Sequence, residues 1–357
     1  MLRSKTKWRV LPLVFITIVV VYVLFFMPTP YLLMQPGSAQ EIKPMVEVRQ
    51  DDPNEKGAFM LTTVRMTYSN TIGYLLALIN PNIDVYHKKD VLKDETRSEY
   101  SERQQYVMLT SQANAIQAAY HEAGVPYGID HRGVVVLKAY ADKPAGQWLK
   151  PGDLLLTVDG NRIGTSEDFI SYVQTKKPGQ SVKVTYKRGG NVRSAQIALV
   201  ELPDSAGADG KARVGIGIVP GDMQEVQPEH AEQTVDIKAG DIGGPSAGLM
   251  FSLEIYNRLT EGDLSKGYRI AGTGTITPDG QVGVIGGIKF KIVAADREKA
   301  DIFFAPKNYV PEKGTAVNNT SDALAKAKQI GTKMKVVSVG TMDEAIEYLK
   351  KLPPKRS

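Results

Sequence analysis

The stretch Asp241-Ile242-Gly243-Gly244-Pro245-Ser246-Ala247-Gly248-Leu249-Met250 decides how the chain is read. Letter by letter, Gly244 to Gly248 is the G-x-S-x-G pattern of a nucleophile elbow. An α/β-hydrolase also needs a histidine after that serine, yet His87, His121, His131 and His230 all precede Ser246. Chain order therefore excludes a Ser-Asp-His triad. Pro245 cannot sit in a helix interior, and Met250, Leu253, Tyr256 and Leu259 follow at mostly helical spacing. Ser246 is thus expected at a helix N-terminus, where free amides and the dipole favour an alkoxide or oxyanion. An ordinary serine N-cap is the plainer account of the same letters.

A second glycine-rich stretch, Gly283-Val284-Ile285-Gly286-Gly287-Ile288-Lys289-Phe290-Lys291, offers that serine a partner. Lys289 follows a Gly-Gly pair among apolar neighbours at a helix start. A cation is out of place there, and burial favours its neutral form. A neutral lysine can deprotonate a serine without histidine. Alone, Lys289 also reads as a surface lysine on a tight turn.

Composition narrows the alternatives. The 357 residues contain no cysteine and only four histidines, which removes a disulfide scaffold, a thiol nucleophile and thiolate metal sites, and argues against a histidine-based one. No metal or other cofactor is expected. The formal charge of +5 is mostly Arg3, Lys5, Lys7 and Arg9; the remainder is almost neutral, so a nucleic-acid partner is not indicated.

Those basic residues lead into Val10 to Met27, an uncharged apolar run of 18 residues. As a helix it spans roughly 27 Å, enough for a bilayer core. The charge asymmetry puts residues 1–9 in the cytoplasm as a tail and the bulk of the chain outside, on a single-pass anchor, 10–27. A signal peptide cleaved late, near Ser38-Ala39, is the rival reading.

Residues 28–44 read as a Pro- and Gly-containing linker and 45–127 as a mixed block. Within that block Phe59 to Met66 reads as a strand and Asn70 to Leu78 and Glu102 to Glu122 as helices. The charged piece Tyr86 to Tyr100 reads as a solvated loop or helix face. Residues 128–202 are short strands with turn punctuation, including Asp159-Gly160. Residues 203–213 form a polar junction. Block three, 214–352, alternates strands and helices, and Thr341-Met342-Asp343-Glu344 is a capping-box start for its last helix.

The second block, with Pro144-Ala145, Leu149-Lys150-Pro151-Gly152-Asp153 and Val158-Asp159-Gly160, resembles a PDZ domain. That resemblance implies capture of an extended peptide at a sheet edge, with the carboxylate received near Tyr127-Gly128-Ile129. His131 and Arg132 depart from the usual loop composition there, and a spacer or lid is the alternative role.

The pair of glycine-rich motifs, with Ala271-Gly272-Thr273-Gly274-Thr275 and Ala305-Pro306-Lys307-Asn308, resembles the Lon-type serine-lysine protease domain. Ser246 and Lys289 are 43 residues apart. The resemblance makes Ser246 the nucleophile and Lys289 the general base, with Lys291 as the family's second lysine. Thr273 is then the threonine beside the dyad, and Gly244, Pro245 and Ala247 supply backbone support and the oxyanion site. Gly243 stands where many ATP-driven members have an acidic residue, and no G-x-x-x-x-G-K-[ST] loop occurs, so activity without ATP is implied.

The 59–64 strand and 108–120 helix resemble the early part of the same fold. That gives an α+β architecture: an N-terminal transmembrane helix, then a Lon-type protease domain with an inserted PDZ domain. The order resembles membrane-anchored, PDZ-containing Lon-like proteases of Gram-positive bacteria, which process secreted signalling peptides or membrane proteins. The expected function is an extracellular, ATP-independent serine endopeptidase whose peptide or protein substrate docks on the PDZ domain. The alternative is a PDZ-mediated binding or regulatory protein with a silent protease fold. Assembly into a homo-oligomeric ring, as Lon relatives often show, is left open.

Overall fold

The longest strands of the chain are built from unpromising sequence. Pro28–Glu41, PTPYLLMQPGSAQE, pairs antiparallel with Ala58–Asn70, and Asp84–His87 pairs with its other edge. The linker expected over 28–44 is thus mostly a strand. Its prolines lie where the ladder is irregular, with register shifts between Pro28 and Leu32 and between Pro36 and Ala39. A residue without an amide proton is tolerated at such breaks.

The computed structural model describes residues 4–48, 56–93, 95–202, 213–312 and 314–355, with side chains from Leu11 onward. The side chains of the 1–9 tail and nearly all of the 203–213 junction lie outside the described residues.

One six-stranded sheet organises the larger body, in the order Lys335–Val339, Ile302–Pro306, Arg269–Gly272, Ala58–Asn70, Pro28–Glu41, Asp84–His87. The first four strands run parallel and the last two pair antiparallel. Alternation along each strand serves two cores. Phe59, Leu61, Ile270, Ile302 and Phe304 pack in one buried cluster; Met60, Ala271, Phe303 and Ala305 pack in another.

Nine helices are described: α1 (Ser4–Phe25), α2 (Thr71–Ile79), α3 (Lys88–Leu92), α4 (Arg97–Ala123), α5 (Ser166–Gln174), α6 (Gly248–Leu259), α7 (Ile288–Arg297), α8 (Asn319–Ile330) and α9 (Met342–Lys350). Side chains of α4, α6 and α9 complete the first core, and α7 and α8 the second. α6 is buried from Gly248 to Asn257, a core helix and not the half-exposed one its spacing suggested. The charged 86–100 piece is ordered into the end of the Asp84–His87 strand, α3 and the start of α4. There Thr96 and Glu99 form a capping box.

The small module has its own core of Val134, Leu155, Phe169, Val184 and Ile197. Its sheet also takes in Ile218–Pro228, paired along Tyr127–Ala139, a segment the sequence reading assigned to block three. The early and late parts of the chain share one sheet and one core, so the module is an insertion between α4 and the Val235–Ile237 strand.

At the other end, α1 carries Leu11, Phe15, Ile18, Tyr22 and Phe25, all more than half exposed. Among the described residues no helix is long and apolar enough to cross a membrane.

Candidate active site

Pro245–Ala247 forms a single 3-10 turn that runs directly into α6. Gly244 before it has φ +87°, a conformation other residues adopt only with strain, and its amide donates to the Gln104 carbonyl of α4 at 2.9 Å. Pro245 supplies a first-turn position where an N–H has no helical partner. The turn is braced from behind: Thr273 Oγ1 and the Gly274 amide both donate to the Ser246 carbonyl, at 2.8 and 2.9 Å. Ser111 of α4 donates to the Pro245 carbonyl at 2.9 Å. Thr273 is fully buried just past the carboxyl end of Arg269–Gly272, and such strand ends are where open parallel sheets form their crevices.

The lysine that meets Ser246 is Lys291. Its Nζ lies 2.9 Å from Ser246 Oγ and donates to the Thr62 carbonyl at 2.6 Å. Lys289, expected to be the base, is instead 42% exposed and pairs with Asp84 Oδ2 at 2.5 Å, with Phe290 beside its ammonium. The reason is helical geometry. Two residues along α7 correspond to about 200° of rotation, so the two lysines leave opposite sides of the helix. Lys291 belongs to the stripe Ile288, Lys291, Ile292, Ala295, all buried. That stripe was readable in the sequence; the Gly-Gly-proximal lysine was the wrong one to single out.

Burial also decides the chemistry of Lys291. It is 3% exposed, and desolvation of the ammonium lowers its pKa to about 7. Near neutral pH a large share is therefore free amine, with a lone pair to turn toward Ser246 Oγ. Thr62 is itself anchored, its Oγ1 donating to the Gly272 carbonyl at 2.9 Å.

Ser246 and Lys291 line a cleft of about 1240 Å³. Met34, Met45, Leu61, Val64, Met108 and Ile242 give it apolar walls. Gly243 closes against α4: a Cβ there would stand 2.9 Å from the Gln104 Cβ, so no larger side chain fits without displacement. Among the described residues no group of histidine, aspartate and glutamate could hold a metal ion.

The peptide site expected at Tyr127, Gly128 and Ile129 is differently placed. These residues are not a loop but strand, paired with Pro228, Gln227 and Val226. One edge of the module's sheet is Ile218–Pro228, preceded by Val214-Gly215-Ile216-Gly217. The Ile216 and Gly217 carbonyls are tied to the Ala145 and Tyr140 amides at 3.0 Å each. The Gly-Ile-Gly-Ile pattern at 215–218 was the available signal, and the polar junction before it hid its membership in the module.

Two family models match the chain. Residues 105–199 match the PDZ domain family, and residues 223–350 match the Lon protease (S16) C-terminal proteolytic domain. A Lon protease from Endomicrobium trichonymphae is 26% identical over 217 residues, covering 59% of this chain and 22% of that protein. A probable periplasmic serine endoprotease, DegP-like, from Halomonas elongata is 28% identical over 149 residues, covering 36% of this chain and 31% of that one. The chain thus spans under a third of the length of either. The PDZ domain of an SdrC-like protein from Listeria monocytogenes is 38% identical, covering 25% of this chain and 86% of that one, with a TM-score of 0.22. The chain carries a stretch that matches a PDZ domain and one that matches the proteolytic domain of Lon proteases.

Proposed function

We propose that the chain is a membrane-anchored serine endopeptidase that works outside the cytoplasm without ATP, through a Ser246–Lys291 dyad. The observation that carries the dyad is the contact between a fully buried lysine amine and the serine hydroxyl, 2.9 Å apart. Neutral Lys291 takes the Ser246 hydroxyl proton as Oγ bonds to the substrate carbonyl carbon, and the carbonyl π electrons move onto oxygen. The backbone amides of Ser246 and Ala247, beside the positive end of α6, receive that oxyanion. The intermediate collapses, the C–N bond breaks, and the departing amine takes the proton from Lys291. Water then attacks the acyl ester by the same route.

Anchoring is supported by the apolar run 10–27 and by the exposed apolar side chains of α1; the basic residues before it support an inside N-terminus. Independence of ATP is supported by the missing nucleotide-binding loop. A peptide substrate would add to the free edge of Ile218–Pro228 beside α5, its chain end received by the Gly215–Ile218 segment, not by Tyr127–Ile129.

Casein digestion by the full chain in detergent, without nucleotide, tests the reading. Ser246→Ala and Lys291→Met should each lower cleavage on the order of 10³-fold or more, and Lys289→Met should change it little. Peptide binding with no turnover by the unsubstituted chain would instead support the silent, binding-only alternative.

A further inference from the structure

α1 ends beside a second apolar helix, one face of which is left uncovered by the described residues. α2, TIGYLLALI, has no charged residue. Ala77 is buried and Gly73 lies close over Leu33, so this side faces the protein. Leu75, Leu76, Leu78 and Ile79 are 47, 54, 60 and 80% exposed. A short helix with its apolar face turned outward is costly in water and suited to a lipid interface.

One side chain fixes this helix to the anchor. Asn70 caps α2, its Oδ1 accepting from the Gly73 amide at 2.8 Å, while its Nδ2 donates to the Phe25 carbonyl, the last of α1, at 2.7 Å. The end of α1 and the start of α2 are therefore held together. Phe26 and Met27, also exposed, continue the apolar surface from one to the other.

The rim of this surface has the composition of a headgroup layer's partner. Tyr31 stacks on Tyr74 of α2 with ring centroids 4.8 Å apart. Beyond it, Lys88 and Arg97 lie over Tyr68 at 5.1 and 5.0 Å. Aromatic rings and cations at the edge of an apolar face are the usual pattern at a membrane interface. Asp90 and Glu99 lie nearby in sequence, so the rim carries charges of both signs.

We propose that α2 lies in the outer leaflet interface of the bilayer that takes α1, with Leu75, Leu76, Leu78 and Ile79 among the lipids. This rests on the anchored reading above and adds a second attachment to it. Two attachments bracketed by Asn70 set the protease body's orientation, where a single helix would let it swivel. The Ala58–Asn70 strand then stands between membrane and active site. From Asn70 to Thr62, whose carbonyl holds Lys291, is roughly 25 Å of extended chain.

The absence of native cysteine permits a direct test on the full chain. Single substitutions Phe15→Cys, Leu76→Cys, Ile79→Cys and Val192→Cys are labelled with an environment-sensitive fluorophore. The proteins are reconstituted in phosphatidylglycerol–phosphatidylethanolamine vesicles with nitroxide lipids, shallow or deep. Expected are blue-shifted emission and quenching by the shallow nitroxide at positions 76 and 79, quenching by the deep one at 15, and neither at 192. If position 15 is quenched while 76 and 79 behave like 192, the anchor stands and the surface proposal is overturned. If 15 is unquenched as well, both fall. Blue-shifted labels at 76 and 79 that no lipid nitroxide quenches, with disulfide-linked dimers of the Leu76→Cys chain, would show a second copy covering α2 and overturn the proposal too.

Discussion

Lys291 is where physical chemistry makes its sharpest demand on the molecule. Its pKa of about 7, caused by burial, means the amine gains its basic form as pH rises through neutrality. The rate kcat/KM should therefore fall on the acid side with an apparent pKa near 7, and Lys289→Met should keep that limb. Stability carries the same signature with a defined sign. An unfolded lysine titrates near 10.4, so between about 7 and 10 the unfolded chain holds a proton that the folded one has lost, and stability rises with pH. Below 7 both states are protonated and the full cost of the buried charge is felt. Lys291→Met removes the effect: the melting-temperature gain of this variant over the native chain should be largest near pH 6 and shrink toward pH 10. An unchanged difference across that range would mean Lys291 is not buried as described.

At the scale of elements, the site depends on a turn held from three sides. Gly244 at φ +87° has the Gln104 side-chain oxygen 3.0 Å from where a Cβ would be. Gly244→Ala should cost about 1–2 kcal/mol of stability and lower kcat more than it raises KM. Thr273→Val removes one of two donors to the Ser246 carbonyl, for a stability loss of about 1 kcal/mol and a larger loss of kcat. Denaturant unfolding with kinetics on the same preparations checks both. These elements were unequally legible. The serine turn, α6, α7 and the strands of block three carry local signals, and their order was readable. The Pro28–Glu41 strand was not, because its three prolines are accommodated only by ladder breaks that its partner Ala58–Asn70 provides. Lys291 was missed for a different reason: proximity to Gly286-Gly287 drew the base assignment to Lys289, whereas helical phase decides which lysine points inward.

In the whole molecule the strand that follows α1 and the elements around the cleft share one sheet and core, while the PDZ module has a sheet and core of its own. The shared core predicts that a chain starting at Pro28 still folds and digests casein in the absence of nucleotide, at a rate within a few-fold of the full chain in detergent, since α1 adds no residue to the cleft. Loss of the cleavage with added ATP restoring it would contradict the motor-free account. The central claim, that this chain is a protease whose serine is activated by Lys291, is tested without knowing the substrate. The intact full-length protein is treated with a fluorophosphonate and its mass followed against pH. One adduct at Ser246 should form in the native chain and in Lys289→Met, with a rate that rises through pH 7, and should be nearly absent in Lys291→Met. Labelling that survives in Lys291→Met and disappears in Lys289→Met would contradict the account.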